Sequence, residues 1–148
     1  MTAGIRPWLE ESRLRVFLAD DNPVVRKGLR AFLEAEPGVE VVGEAANGES
    51  ALAAILSLKP DVAMLDLQMP GLSGLEVARK LSENGSGTAV VILSMHAEHR
   101  GVTAALAAGA LGYVVKDDAA TNLIRAIQAA SRGEAYLSPS IAPEPGQT

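Results

Sequence analysis

Short apolar runs alternate along the chain with longer stretches whose apolar residues recur every three to four positions. The first run, Leu14-Arg15-Val16-Phe17-Leu18-Ala19, is partly β-branched and aromatic and stops at Asp20-Asp21. Runs of this length between turn signals predict strands. Asn22 followed by Pro23 predicts a capped helix start. Val25, Leu29, Phe32 and Leu33 then space as one helix face, ending near Pro37-Gly38. The second strand is Val39 to Glu44. Asn47 caps a helix carrying Leu52, Ile55 and Leu56, which Lys59-Pro60 closes. Asp61 to Leu65 is the third strand, with Asp66 at its C-terminal end. Ser73 with Glu76 three residues on is a capping box, and Leu75, Ala78 and Leu81 give that helix its apolar face. After the turn Asn84 to Gly87, Thr88 to Leu93 forms an unusually apolar fourth strand. A helix beginning near Ala97 runs through Val102, Ala105 and Leu106 to Gly109. Leu111 to Val115 is the fifth strand. Asp117 or Asp118 caps a last helix with Leu123, Ile124, Ile127 and Ala130 inward.

These are five strand-helix units. Near-continuous apolar strands require both sheet faces to be covered, which means a parallel sheet between helix layers. Right-handed crossovers leave an open, doubly wound α/β sheet. Its ligand site lies outside the C-terminal strand ends, where the strand order reverses. Neither a repeat nor a heptad run competes with this fold.

The chain has 148 residues, about one domain. Lys plus Arg is 13 and Asp plus Glu is 18, a net charge of −5, which argues against direct nucleic-acid binding by these residues. At 48% hydrophobic it is not a disordered chain. Cysteine is absent, which removes disulfides, thiol catalysis and Cys-ligated zinc and suits a reducing compartment. Met1 to Ser12 lacks the apolar run of a signal peptide. The longest uncharged stretch, Gly101 to Val115, is 15 residues and too short for a membrane span. The expectation is a soluble cytoplasmic protein with no membrane partner. Residues 1–13 read as an N-terminal extension with Trp8 as a packing anchor, 14–138 as the domain, and 139–148 as a flexible, Pro/Gly/Ser-rich, linker-like tail.

The charges gather at one pole. Asp20 and Asp21 end strand one, Asp66 ends strand three, Ser94 ends strand four and Lys116 ends strand five. If the first and third strands are neighbours, three carboxylates share a small volume. Like charges repel there and desolvation adds to the cost. A divalent cation resolves the conflict, and hard oxygen ligands favour Mg²⁺, Mn²⁺ or Ca²⁺. His96 and His99 lack metal-ligand spacing and read as a solvated edge. Asp66 is the best nucleophile, able to accept a phosphoryl group as an acyl phosphate. Lys116 suits the phosphoryl oxygens as a point charge, and Ser94 can donate a hydroxyl hydrogen bond to them. Tyr113 shares a side of its strand with Val115, near the fourth helix, and can turn inward when Ser94 moves. Any one of these residues alone would be a helix cap or a solvated edge. Their joint placement carries the reading.

The stretches ADDNPVVRKGLRAFLE, EVVGEAANGESAL, KPDVAMLDLQMPGLSGLE, VILSMHAE and AGALGYVVKDDAATNLIRAIQAASRGEAYLSP resemble a bacterial response-regulator receiver domain. The likeness is to the NarL/FixJ branch, whose full members carry a C-terminal LuxR-type helix-turn-helix domain. The resemblance implies a five-stranded flavodoxin-like sheet in the order 2-1-3-4-5. It makes Asp66 the phosphoacceptor and Asp20, Asp21 and Asp66 the Mg²⁺ ligands, with the Gln68 backbone carbonyl. Ser94 and Tyr113 become the switch pair and Lys116 the phosphate-binding lysine. The Gln68 side chain and the bulky Met95 tune rates. Asp117 stands where many relatives have proline, and the resemblance raises a cis Lys116-Asp117 peptide without deciding it. The implied partners are a sensor histidine kinase and a second copy, through the fourth helix, fifth strand and last helix or through the first and last helices. DNA is reached only through a C-terminal domain missing from this chain. The role is regulatory rather than enzymatic. Two rivals are an interaction module that never takes phosphate, against which the intact Asp66, Asp21 and Lys116 set argues, and a metal-dependent phosphohydrolase, whose second Asp two positions after the nucleophile is here Gln68.

Overall fold

The computed structural model describes residues 13–95, 99–116 and 119–139. Strand and helix alternate throughout: β1 (Leu14–Ala19), α1 (Pro23–Glu34), β2 (Val39–Ala45), α2 (Gly48–Leu58), β3 (Val62–Asp66), α3 (Gly74–Glu83), β4 (Ala89–Ser94), α4 (His99–Ala107), β5 (Gly112–Val115), α5 (Ala119–Ser131) and β6 (Tyr136–Leu137). All strands are parallel, in the order β2-β1-β3-β4-β5-β6. The fold is the flavodoxin-like doubly wound sheet the apolar strands demand. It has one strand more than the five expected. Tyr136 and Leu137 are too short a run to announce a strand, but they pair with Gly112 and Tyr113 and cover what would otherwise be an open β5 edge.

Alternation along the strands splits the core in two. Val16, Leu18, Val62, Met64, Val91, Leu93 and Val114 pack against Leu33 of α1 and against Leu123, Ile127 and Ala130 of α5. Phe17, Ala63, Leu65, Ile92 and Tyr113 pack against α2, α3 and α4. Full burial of a residue such as Leu33 contributes about 2 kcal/mol and fixes the roll of its helix. Phe32 does not join it. It is 39% exposed, because it lies roughly 100° round the helix from Leu33, while the sheet-facing stripe is Val25, Leu29 and Leu33 with Arg26 and Arg30 on its flank. Leu56 is exposed by the same amount, and Gly48, Ala51 and Ile55 are the buried residues of α2.

The caps form as the sequence predicts. The Asn22 side chain accepts from Val24 and Val25 N–H, Asn47 from Ser50 N–H, and Ser73 with Glu76 makes the reciprocal box. Lys59 ends α2 in the left-handed conformation at φ 51°. β2 carries one extra residue, Val42, between the pairs Val16–Val41 and Phe17–Gly43. Because side chains alternate, this insertion sets the face from which Glu44 leaves the sheet. Trp8, His96, Asp117, Asp118, the Lys116-Asp117 peptide and the tail beyond Pro139 lie outside the described residues. Among the described residues no helix is long and apolar enough to cross a membrane.

Candidate functional site

Register brings the predicted residues to one pole. Ala19 pairs with both Ala45 and Leu65, Asp66 with Leu93, and Ser94 with Val115. Asp20, Asp21, Asp66, Ser94 and Lys116 therefore all emerge at the C-terminal strand ends. Asp20 is fully buried, Asp66 and Ser94 nearly so, and Asp21 is exposed. One carboxylate oxygen from each of Asp20, Asp21 and Asp66 lies within 4.8 Å of the others.

Backbone contacts hold this cluster. The Asp20 N–H donates to the Ala45 carbonyl at 3.1 Å, and the Asn22 N–H donates to Asp20 Oδ1 at 2.9 Å. Gln68 N–H donates to Asp66 Oδ1 at 3.3 Å, while its side chain is exposed. Behind Asp66, α3 begins so close that a Cβ on Gly74 would sit 2.4 Å from the Asp66 carbonyl oxygen. Only glycine allows that approach.

The electrostatics are unbalanced. Lys116 Nζ lies 2.9 Å from Asp20 Oδ2 and 3.2 Å from Asp66 Oδ2, so two buried carboxylates share one ammonium. Asp20 Oδ2 has no well-aligned hydrogen bond; its contact with Lys116 is ionic. Burial, and then the Asp20 charge, push the Asp66 carboxyl up to about 6 from its ordinary 3.8, against the pull of Lys116 and of the Gln68 N–H. Burial alone would lower the Lys116 pKa, but its contacts with Asp20 and Asp66 outweigh that and raise it. Three carboxylates against one ammonium leave two negative charges. That deficit, the ionic-only Asp20 oxygen and an all-oxygen donor set fit a hard divalent cation. The residues present can hold one.

Ser94 ends β4 beside this cluster, with Met95 next to it 67% exposed. Tyr113 faces inward, 1% exposed, its hydroxyl against α4 where a Cβ on Gly101 would lie 2.8 Å away. The ring expected to turn inward when Ser94 moves already faces inward here. Sequence reading missed four residues around the site. Gly74 and Gly101 make room for Asp66 and Tyr113. Ser138 Oγ accepts from the Val115 N–H at 2.9 Å, one residue before Lys116. Arg26 donates to the Asp20 carbonyl at 2.6 Å. The glycines stand at helix positions where glycine is unfavourable, which is a signal; Ser138 and Arg26 carry none without the fold.

Comparison with known proteins agrees with this geometry. Residues 16–128 match the family model described as response regulator receiver domain. The chain is 39% identical over 129 residues to the transcriptional regulatory protein LiaR of Bacillus subtilis, a match covering 87% of this chain and 61% of LiaR. It is 39% identical over 128 residues to the nitrate/nitrite response regulator protein NarL of Escherichia coli K12, covering 86% of this chain and 59% of NarL. The chain thus spans about three-fifths of the length of the curated relatives it matches. The signal receiver domain of a NarL response regulator from Mycobacterium tuberculosis superposes with a TM-score of 0.80 at 37% identity, covering 83% of this chain and 99% of that one. With its parallel sheet, its acidic cluster and these likenesses, the chain belongs to the response-regulator receiver domain family, alongside the receivers of NarL/LuxR-type regulators.

Proposed function

We propose that this receiver takes a phosphoryl group from the phosphohistidine of a sensor histidine kinase onto Asp66. The supporting observation is the charge arrangement: a buried carboxylate with a raised pKa, beside two more acids, with Lys116 shared between Asp66 and Asp20. An Asp66 oxygen attacks phosphorus, the P–N bond breaks, and the imidazole nitrogen leaves with the electron pair. Asp66 must be ionised to attack. Asp20, Asp21 and Asp66, with the Gln68 backbone carbonyl, would hold Mg²⁺, or Mn²⁺ or Ca²⁺ in its place. A bound Mg²⁺ supplies two positive charges against the phosphoryl oxygens. Lys116 adds a third by exchanging a carboxylate oxygen for a phosphoryl oxygen.

Ser94 donates its hydroxyl to the acyl phosphate, and the loop after β4 follows it. Tyr113 is the aromatic whose inward seat then becomes fixed. The output is a change in self-association, through α4-β5-α5 or α1 and α5, in a cytoplasmic transcriptional regulator. DNA is contacted by a separate C-terminal domain. Gln68 and Met95, both exposed beside the acid, set the lifetime of the phosphate. The domain extends over 14–138.

Mass spectrometry after exposure to Mg²⁺ and acetyl phosphate tests this reading. The wild-type chain gains one phosphoryl mass and Asp66→Asn gains none. A chain that stays unmodified by both acetyl phosphate and its cognate kinase is an interaction module instead. Sustained turnover of a free phosphoester identifies a phosphohydrolase.

A further inference from the structure

The acidic turn after β1 is gripped from behind by a side chain that phosphoryl transfer leaves unused. Arg26, in the first turn of α1, sends Nη1–H to the Asp20 carbonyl at 2.6 Å and Nε–H to Glu44 Oε1 at 2.7 Å. Its side chain is only 19% exposed. Glu44 comes from the far end of β2, in register with Leu18, on the α1 face because of the extra residue at Val42. The other Glu44 oxygen is taken by Arg30 Nη1. These two arginines, Arg30 first, hold the Glu44 carboxyl below its ordinary range, so it remains a charged anchor. A planar guanidinium donating in two fixed directions ties the β1 turn to the β2 end, which a flexible ammonium does poorly.

We infer that Arg26 is a positioning residue for cation capture: by joining the Asp20 carbonyl to Glu44 it fixes the turn that carries Asp20 and Asp21. This inference rests on reading Asp20, Asp21 and Asp66 as a Mg²⁺-binding set. Rotation of the Asp20 peptide would swing both carboxylates, and Mg²⁺ demands near-octahedral oxygen geometry. Charge alone predicts the opposite role. Arg26 is a cation beside a cation site, and its field opposes binding. Removing it should therefore tighten Mg²⁺ if its charge dominates and weaken Mg²⁺ if its grip dominates.

The experiment is a Mg²⁺ titration of the full chain by calorimetry, with Arg26→Met and Arg30→Met compared. Arg30 shares Glu44 and α1 but, in the contacts described, does not reach Asp20. Arg26→Met should weaken Mg²⁺ binding by about tenfold, the scale of a lost outer-shell partner. Arg30→Met should stay within about twofold on the same scale. Equal or tighter binding by Arg26→Met overturns the inference, as does an equal loss in both variants, which would make the ion pairs merely structural. A second readout needs no metal. The Asn22 amide, bonded to Asp20 Oδ1, should exchange with solvent faster in Arg26→Met than in Arg30→Met, and equal exchange overturns the inference. Wild type that takes up no Mg²⁺ refutes the Mg²⁺-set reading on which the inference rests, and overturns the inference with it. Should Arg26→Met not fold, Glu44→Gln loosens the same fork from its other end and carries the same Asn22 comparison.

Discussion

Replacing Asp66 by Asn should make the metal-free protein more stable. The Asp66 carboxyl ionises near pH 6 in the fold and near 3.8 when ordinary, with burial as the main cause and the Asp20 charge second. A carboxyl whose pKa is raised by folding binds more protons in the native state between those values. Stability therefore falls as pH rises from about 4 to about 6, and the penalty is complete above that. At about 1.4 kcal/mol per pH unit, the shift amounts to about 3 kcal/mol. Asn keeps the shape and can still accept from the Gln68 N–H, but it has no charge to desolvate. Urea unfolding in EDTA should show the variant more stable by up to about 3 kcal/mol at pH 7.5, or about 6–12 °C in melting temperature. The gain should shrink to near zero toward pH 4. Saturating Mg²⁺ should reverse the order by binding the native wild type more tightly. Equal or lower stability of Asp66→Asn at pH 7.5 in EDTA, or a gain independent of pH, would refute the claim that charge burial at Asp66 strains the fold.

Three further changes probe the surroundings. Lys116→Met removes the ammonium shared by Asp20 and Asp66 and should cost about 3–5 kcal/mol at pH 7.5 without metal, with most of it recovered in urea titrations at pH 4 or with Mg²⁺. Ser138→Ala leaves the buried Val115 N–H without its acceptor; it should cost about 1–3 kcal/mol and speed hydrogen exchange at that amide. Gly101→Ala places a methyl 2.8 Å from the Tyr113 hydroxyl. The helix gains up to about 1 kcal/mol from the better helix former, so the readout is the ring: Tyr113 NMR resonances should shift while the melting temperature changes little.

The fold and the acid pocket were legible because each depends on local pattern. Val62-Ala63-Met64-Leu65, a short apolar run that follows Pro60, reads as a strand covered on both faces, and that fixes which end Asp66 occupies. With β1, β3 and β5 parallel, Asp20, Asp66 and Lys116 reach one pole, and the strand order brings them into contact. What escaped depends on exceptions to pattern. Val42 breaks the alternation of β2, so Glu44 emerges toward α1 and Arg26 becomes a fork between the β1 turn and the end of β2. Phe32 has the right spacing for the core yet lies beyond the stripe that α1 turns inward. Tyr136-Leu137 is a strand only because β5 offers an edge. Ser138 then acquires its role from that pairing, since its own N–H donates to the Tyr113 carbonyl and its Oγ accepts from Val115.

The two poles of the sheet treat polar groups differently, and this bears on how a signal would leave the site. At the N-terminal pole charges and hydrogen bonds match. Arg15 donates to the Leu58 and Lys59 carbonyls, its amide donates to Asp61, and Thr88 Oγ1 donates to the Pro60 carbonyl. At the C-terminal pole three acids gather, and two of them, Asp20 and Asp66, share Lys116. Under the phosphoacceptor reading, a phosphoryl group on Asp66 competes with Asp20 for Lys116, so Lys116 is the first group to feel it. Lys116 follows Val115, whose N–H is fastened to Ser138, and Ser138 is fastened in turn to the Tyr113 carbonyl. A shift that reaches the Lys116 backbone would therefore not stay local. It would load the β5–β6 pairing on one side and the contact of Tyr113 with Gly101 of α4 on the other, so charge is unbalanced at the end of the sheet where β5, paired on both edges, finishes.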